Sequence, residues 1–89
     1  MEIQVKKPTD KELADLGIKD WPIWEKEESD FDWHYDEKEI CYFLEGLVEI
    51  ELPKGDKVTI QKGDLAIFPE GLSCKWHVKK KVKKHYNFG

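Results

Sequence analysis

Beyond residue 21, apolar and polar side chains alternate along most of this chain. Val48, Ile50 and Leu52 alternate with Glu49 and Glu51, and Val58 and Ile60 with Lys57, Thr59 and Gln61. A period of two puts one face of a strand against a core and the other in water. Phe31, Trp33 and Tyr35 follow the same rule against Asp32 and His34, so three rings are expected inside and the Asp and His outside. Cys74, Trp76 and Val78 share an inner face opposite Ser73, Lys75 and His77. In residues 39–44, Ile40, Tyr42 and Leu44 oppose Glu39, Cys41 and Phe43, which reads as a strand buried on both faces.

Turn formers separate these segments at Ser29-Asp30, Asp36-Glu37-Lys38, Pro53-Lys54-Gly55-Asp56, Lys62-Gly63-Asp64 and Pro69-Glu70-Gly71. Short strands at such close spacing predict an all-β sandwich or barrel. One helix precedes them: Thr9 with Glu12 three residues on makes a capping box, Leu13 and Leu16 supply an apolar stripe, and Gly17 stands at the stop. The predicted helix covers 10–16 and packs outside the barrel.

Composition narrows the picture. With 89 residues and 39% hydrophobic content the chain holds one domain, 1–89, near the size where a single core becomes marginal. Charged residues make up 38%, and the dominance of Lys and Glu over Asn, Gln and Met resembles proteins of heat-adapted organisms. A net charge of -4 gives no reason to expect nucleic acid, and the basic run Lys79, Lys80, Lys81, Lys83 and Lys84 reads as a solvated edge. His77 and His85 are likewise expected in solvent. No apolar run approaches the ~20 residues of a membrane span, and MEIQVKKPTD lacks the apolar core of a secretory signal, so a cytoplasmic chain is expected. Cys41 and Cys74 are too few for a disulfide scaffold and lack metal-motif spacing, so both read as reduced.

Glu39 followed by six residues and Gly46, then Gly63 followed by five residues and Pro69-Glu70-Gly71, resemble the two motifs of the cupins, small β-barrels with a jelly-roll (RmlC-like) topology. The resemblance implies a single cupin domain with both motifs within 31–78. It is closer to the short cupins similar to the cupin domain of (S)-ureidoglycine aminohydrolase, through Trp24-Glu25, Glu39-x-x-Tyr42-x-Leu44-x-Gly46, Gly63 to Gly71, Trp76 and Lys83-Lys84-His85-Tyr86, over roughly residues 21–87.

In metal-binding cupins, His-x-His before the motif Glu and one His in the second motif hold the ion. Here the first two positions are Trp33 and Tyr35, or Asp32 and His34 with one more intervening residue, and the third is Cys74. Two readings follow. In the first, the metal set is lost and no cofactor is bound; Trp33, Tyr35, Glu39, Phe43, Cys74 and Trp76 line a cavity for a small polar molecule, with Glu39 suited to an amine or amide. In the second, His34, Glu39 and Cys74 hold a divalent metal in a hydrolase or isomerase for small ureido or amino compounds. Alternation opposes the second, because turning His34 inward exposes aromatic rings worth ~1.5–3 kcal/mol each. Cys41 is expected to serve packing, and Trp21, Ile23 and Trp24 to meet a second copy in a homodimer. No membrane partner is expected.

Overall fold

In the computed structural model, which describes residues 2–88, seven strands form: β1 (Gln4–Lys6), β2 (Ile23–Lys26), β3 (Ser29–His34), β4 (Glu39–Glu51), β5 (Lys57–Gln61), β6 (Leu65–Phe68) and β7 (Ser73–Phe88). A helix, α1 (Asp10–Leu16), and a single 3-10 turn (Ile18–Asp20) lie between β1 and β2. α1 matches the expected span, and its capping box is formed. The Thr9 hydroxyl accepts from the Glu12 N–H at 3.1 Å, and Glu12 accepts from the Thr9 N–H at 3.2 Å. Gly17 ends it in the left-handed conformation, φ 69°. No residue of α1 is buried.

β4 and β7 pair with each other along most of their length, antiparallel, and each serves two neighbours. The first half of β4 takes β6 on its other side and the second half takes β5. β7 takes β3 along its first half and β2 along its second. The result is one sheet with a corner, β1-β6-β4-β7-β2 on one side and β5-β4-β7-β3 on the other. Residues of the two sides meet within it: Phe68 of β6 lies 5.8 Å from Trp76 of β7, and Trp24 of β2 lies 6.3 Å from Phe31 of β3. This is the antiparallel β-barrel that the alternation predicts.

The corner sits where the β4–β7 register slips, between Phe43 and Val48. Gly46 is there with φ 105°, and a Cβ on it would stand 2.6 Å from the Lys81 carbonyl oxygen and 2.7 Å from the Val82 Cα. Only glycine allows the two long strands this approach. The second motif is equally structural at Asp64. Its buried carboxylate accepts from the Gln61 N–H at 2.9 Å and from Lys7 at 2.5 Å, closing the turn into β6.

Some local expectations differ. Ser29-Asp30 is part of β3 rather than a turn, because both residues pair with β7, opposite Val78 and His77. β1 was not anticipated; its residues are all exposed, and it is held by pairing to β6. The far face of residues 39–44 is half-buried rather than buried, and its Tyr42 and Leu44 line one groove with Leu13, Ala14 and Ile18. His77 and His85 are not simply solvated. His77 bridges Asp30 at 2.7 Å and Glu51 at 3.1 Å, and His85 bonds the Trp21 carbonyl at 2.9 Å. Among the described residues, no helix is long and apolar enough to cross a membrane.

Candidate functional site

Inside the corner, β4 presents Glu39, Cys41 and Phe43, opposite Phe88, Tyr86 and Lys84 of β7. Lys84 faces Phe43, and its side chain runs back along β4 past Cys41. Its ammonium donates to Glu39 Oε2 at 2.7 Å and to Cys41 Sγ at 3.3 Å, while the Cys41 thiol donates to the same Oε2 at 2.6 Å. Both ends of this ion pair are withdrawn from water, Glu39 at 4% exposure and Lys84 at 5%. Four rings compensate the cation: Nζ lies 4.8 Å from the centroid of Trp76, 5.0 Å from Trp24, 5.8 Å from Phe43 and 5.9 Å from Phe68.

Above this floor is a cavity of about 210 Å³. Trp24, Phe31, Trp33 and Trp76 form most of its wall, with Tyr35, Tyr86 and Phe88 closing the sides. Phe31 stacks on Trp76 at 5.8 Å, and Trp24 meets Trp76 edge-on at 5.8 Å. Trp33 is on the cavity side, as alternation requires, but at 47% exposure it forms the rim. The Tyr35 hydroxyl and the Trp76 indole N–H are both buried and neither makes a hydrogen bond of full geometry, although the Trp76 N–H lies close enough to the Tyr35 oxygen and to the Cys74 sulfur to oppose the rise that burial causes in both.

Burial, and then the charge of Glu39, push the Tyr35 phenol far above its usual range. Burial also raises the Cys41 thiol well above the ordinary cysteine value, against the opposing pull of Lys84. Cys74 is pushed up to about 11, again by burial first. Neither sulfur is a thiolate nucleophile at neutral pH.

Of the six residues read from sequence as a cavity, Trp33, Tyr35, Glu39 and Trp76 line it. Phe43 lies beneath Lys84, and Cys74 borders a separate open groove with Asp32, His34 and Ser73. His34 points outward, bonded to Ser73 Oγ at 2.8 Å. Glu39 is engaged by Lys84 and Cys41, and among the described residues no three His, Cys, Asp or Glu side chains are grouped as metal ligands. As arranged, His34, Glu39 and Cys74 do not fit a metal centre.

Lys84 is the residue that sequence reasoning missed. The lysine run reads as a solvated edge, whereas even-numbered positions on either side of the exposed Lys80 turn inward: Cys74, Trp76 and Val78, then Val82, Lys84 and the half-buried Tyr86. Trp24, expected at a dimer contact, turns into the cavity, while Ile23 stays 48% exposed.

The model of the EutQ-like cupin domain matches residues 13–86, a span that holds every cavity residue except Phe88. The chain belongs to the EutQ-like cupin family. Among solved structures, this cupin is similar to a DUF861 family protein from Thermotoga maritima, at 52% identity and TM-score 0.97 over 99% of this chain and all of that one. It is also similar to the EutQ protein of Clostridium difficile, at 29% identity and TM-score 0.68, covering 74% of this chain and 52% of that protein. A putative ethanolamine utilization protein Q from Salmonella typhimurium, 23% identical with TM-score 0.67, shares the fold over 74% of this cupin and 53% of its own length. The cupin thus spans about half of either EutQ protein. No curated protein matches its sequence.

Proposed function

We propose that this cupin binds a small, flat carbonyl compound of the amide or ureido class in its aromatic cavity, without a metal ion. One observation carries the reading: Tyr35 and Trp76 both line the cavity, and their buried hydroxyl and N–H lie close together without a hydrogen bond of full geometry. A buried donor left unpaired costs ~1–3 kcal/mol. With the Trp76 N–H close to the Tyr35 oxygen, the Tyr35 hydroxyl keeps its own proton to donate, so the complementary feature is an acceptor oxygen. Glu39 was expected to meet a ligand amine; with its carboxylate engaged by Lys84 and Cys41, the ligand's oxygen becomes the recognised atom.

The aromatic walls suit a planar body, since stacked or edge-on aromatic contacts add ~0.5–1.5 kcal/mol beyond area. The resemblance to (S)-ureidoglycine aminohydrolase supports the same class, because a ureido group offers both planarity and a carbonyl oxygen. A homodimer is part of the proposal. Among the described residues β2 pairs with β7 alone, and its other edge with exposed Ile23 is the surface for a second copy.

Phenylurea is the probe. Calorimetric titration should give saturable binding to the native protein, and Tyr35→Phe should weaken it about fivefold, the loss of a hydrogen bond worth ~1 kcal/mol. Aniline, which keeps the ring and lacks the carbonyl, should bind more weakly. Absence of saturable heat with phenylurea, or equal binding by Tyr35→Phe, contradicts the proposal.

A further inference from the structure

Recognition of a carbonyl oxygen by Tyr35 and Trp76 leaves the buried amine of Lys84 with no role beyond its ion pair to Glu39. All 15 basic residues of the chain are lysines, and among the described residues Lys84 is the buried one. It shares the cavity wall with Tyr35 and Trp76 and keeps a carboxylate at 2.7 Å. An amine and an adjacent proton acceptor in one aromatic chamber, with the polar groups of Tyr35 and Trp76 in its walls, are the parts that carbonyl condensation needs. We propose that Lys84 forms a reversible imine with small aldehydes or ketones that enter the cavity. The inference rests on the carbonyl-binding reading and extends it to carbonyl carbons electrophilic enough for an amine.

The step balances within the site. The Lys84 ammonium passes one proton to Glu39, and the freed nitrogen lone pair forms the N–C bond as the carbonyl π pair moves to oxygen. Donation from Tyr35 and Trp76 stabilises the charge that develops on that oxygen. The nitrogen loses a second proton as the oxygen gains one, giving a neutral carbinolamine. Protonated Glu39 then returns its proton to the departing hydroxyl, the C–O bond breaks, and water leaves. Ammonium plus aldehyde has become iminium plus water, with no change in net charge and no redox partner. The iminium keeps the cationic position beside Glu39 that the ammonium held, so the carboxylate is never left unpaired. Cys41, which donates to the same Oε2, holds that oxygen in place.

The test is reductive trapping. Native protein at neutral pH is treated with benzaldehyde and sodium cyanoborohydride, then digested and mapped by mass spectrometry for benzylated lysines. Lys84 should be modified saturably and at least about tenfold faster than the median exposed lysine, as expected for a positioned reactant. Phenylurea should slow Lys84 and leave the exposed lysines unaffected. Glu39→Gln should slow it further, on the order of 10²-fold for loss of an acid–base group. Competition in the native chain gives the same discrimination if that variant does not fold. Labelling of Lys84 no faster than exposed lysines, in protein that binds phenylurea, overturns the imine proposal and leaves the binding reading standing. Failure of phenylurea to bind at all is a separate result that overturns the binding reading itself.

Discussion

The Lys84 ammonium on β7 and the Glu39 carboxylate on β4 lie 2.7 Å apart, 45 positions apart in the chain and both buried. Breaking a buried pair from one side strands the other charge and costs ~3–5 kcal/mol, whereas replacing both partners with apolar groups is often neutral or stabilising. Lys84→Met and Glu39→Gln should therefore each lower unfolding free energy by ~3–5 kcal/mol. The double variant Glu39→Leu/Lys84→Met should recover most of the loss, measured by urea denaturation. Single variants within ~0.5 kcal/mol of the native protein would place the pair in solvent and contradict the buried floor.

The thiols should be silent in the folded state. Cys41 is fully enclosed, and burial raises both thiols, Cys74 to about 11. A thiol reagent at neutral pH should label both slowly in native protein and quickly after unfolding in guanidinium. Rapid native labelling of Cys41 would mean that the strands around the ion pair open far more often than their packing implies.

His77 ties three strands together, and its contribution has a sign. Hydrogen bonds from the ring to Asp30 first, then Glu51, raise its pKa above the ordinary 6.5. A raised folded-state value means the protonated ring binds its partners more strongly in the native protein. The stabilisation is thus full below the unfolded value and lost as pH rises through the folded one. The stability difference between the native chain and His77→Gln should be larger at about pH 6 than at about pH 9. A difference that grows with pH would reverse the assignment.

Gly46 supports the corner. Its φ of 105° and the 2.6 Å approach to the Lys81 carbonyl leave no room for a Cβ. Gly46→Ala should cost more than ~3 kcal/mol, adding backbone strain to a clash with main chain that cannot rotate away. Gly55 lies in an exposed turn with nothing near its Cβ position, and Gly55→Ala should cost less. Thermal unfolding of the two variants checks the order.

Much of the barrel was legible because strand alternation is a local property. Tyr35, Trp76 and Val78 are buried and Asp32 and His34 are exposed, as their parity requires. The cavity floor was less legible. Lys84 sits in a run of lysines whose outer members, Lys79 to Lys81, are exposed, and composition pointed outward for all of them. Parity alone also misleads at Lys80, even-numbered yet exposed, because the slipped register near Gly46 turns the strand there. Even positions face inward on both sides of the bulge, so parity marks Lys84; that a lysine can be buried there depends on Glu39 across the barrel, which is not a local signal. Trp24 shows the same limit: pattern alone cannot tell a ring that folds over the cavity mouth from one that awaits a partner.

The central claim is that the Trp76 indole N–H and the Tyr35 hydroxyl receive a ligand oxygen. Nuclear magnetic resonance of 15N-labelled protein gives each of the four tryptophans its own indole N–H signal, assignable by single substitutions. On titration with phenylurea, the Trp76 signal should move downfield saturably, the direction of a new hydrogen bond, while that of Trp21, which does not line the cavity, stays in place. A Trp76 signal that remains fixed at saturating phenylurea would contradict the account.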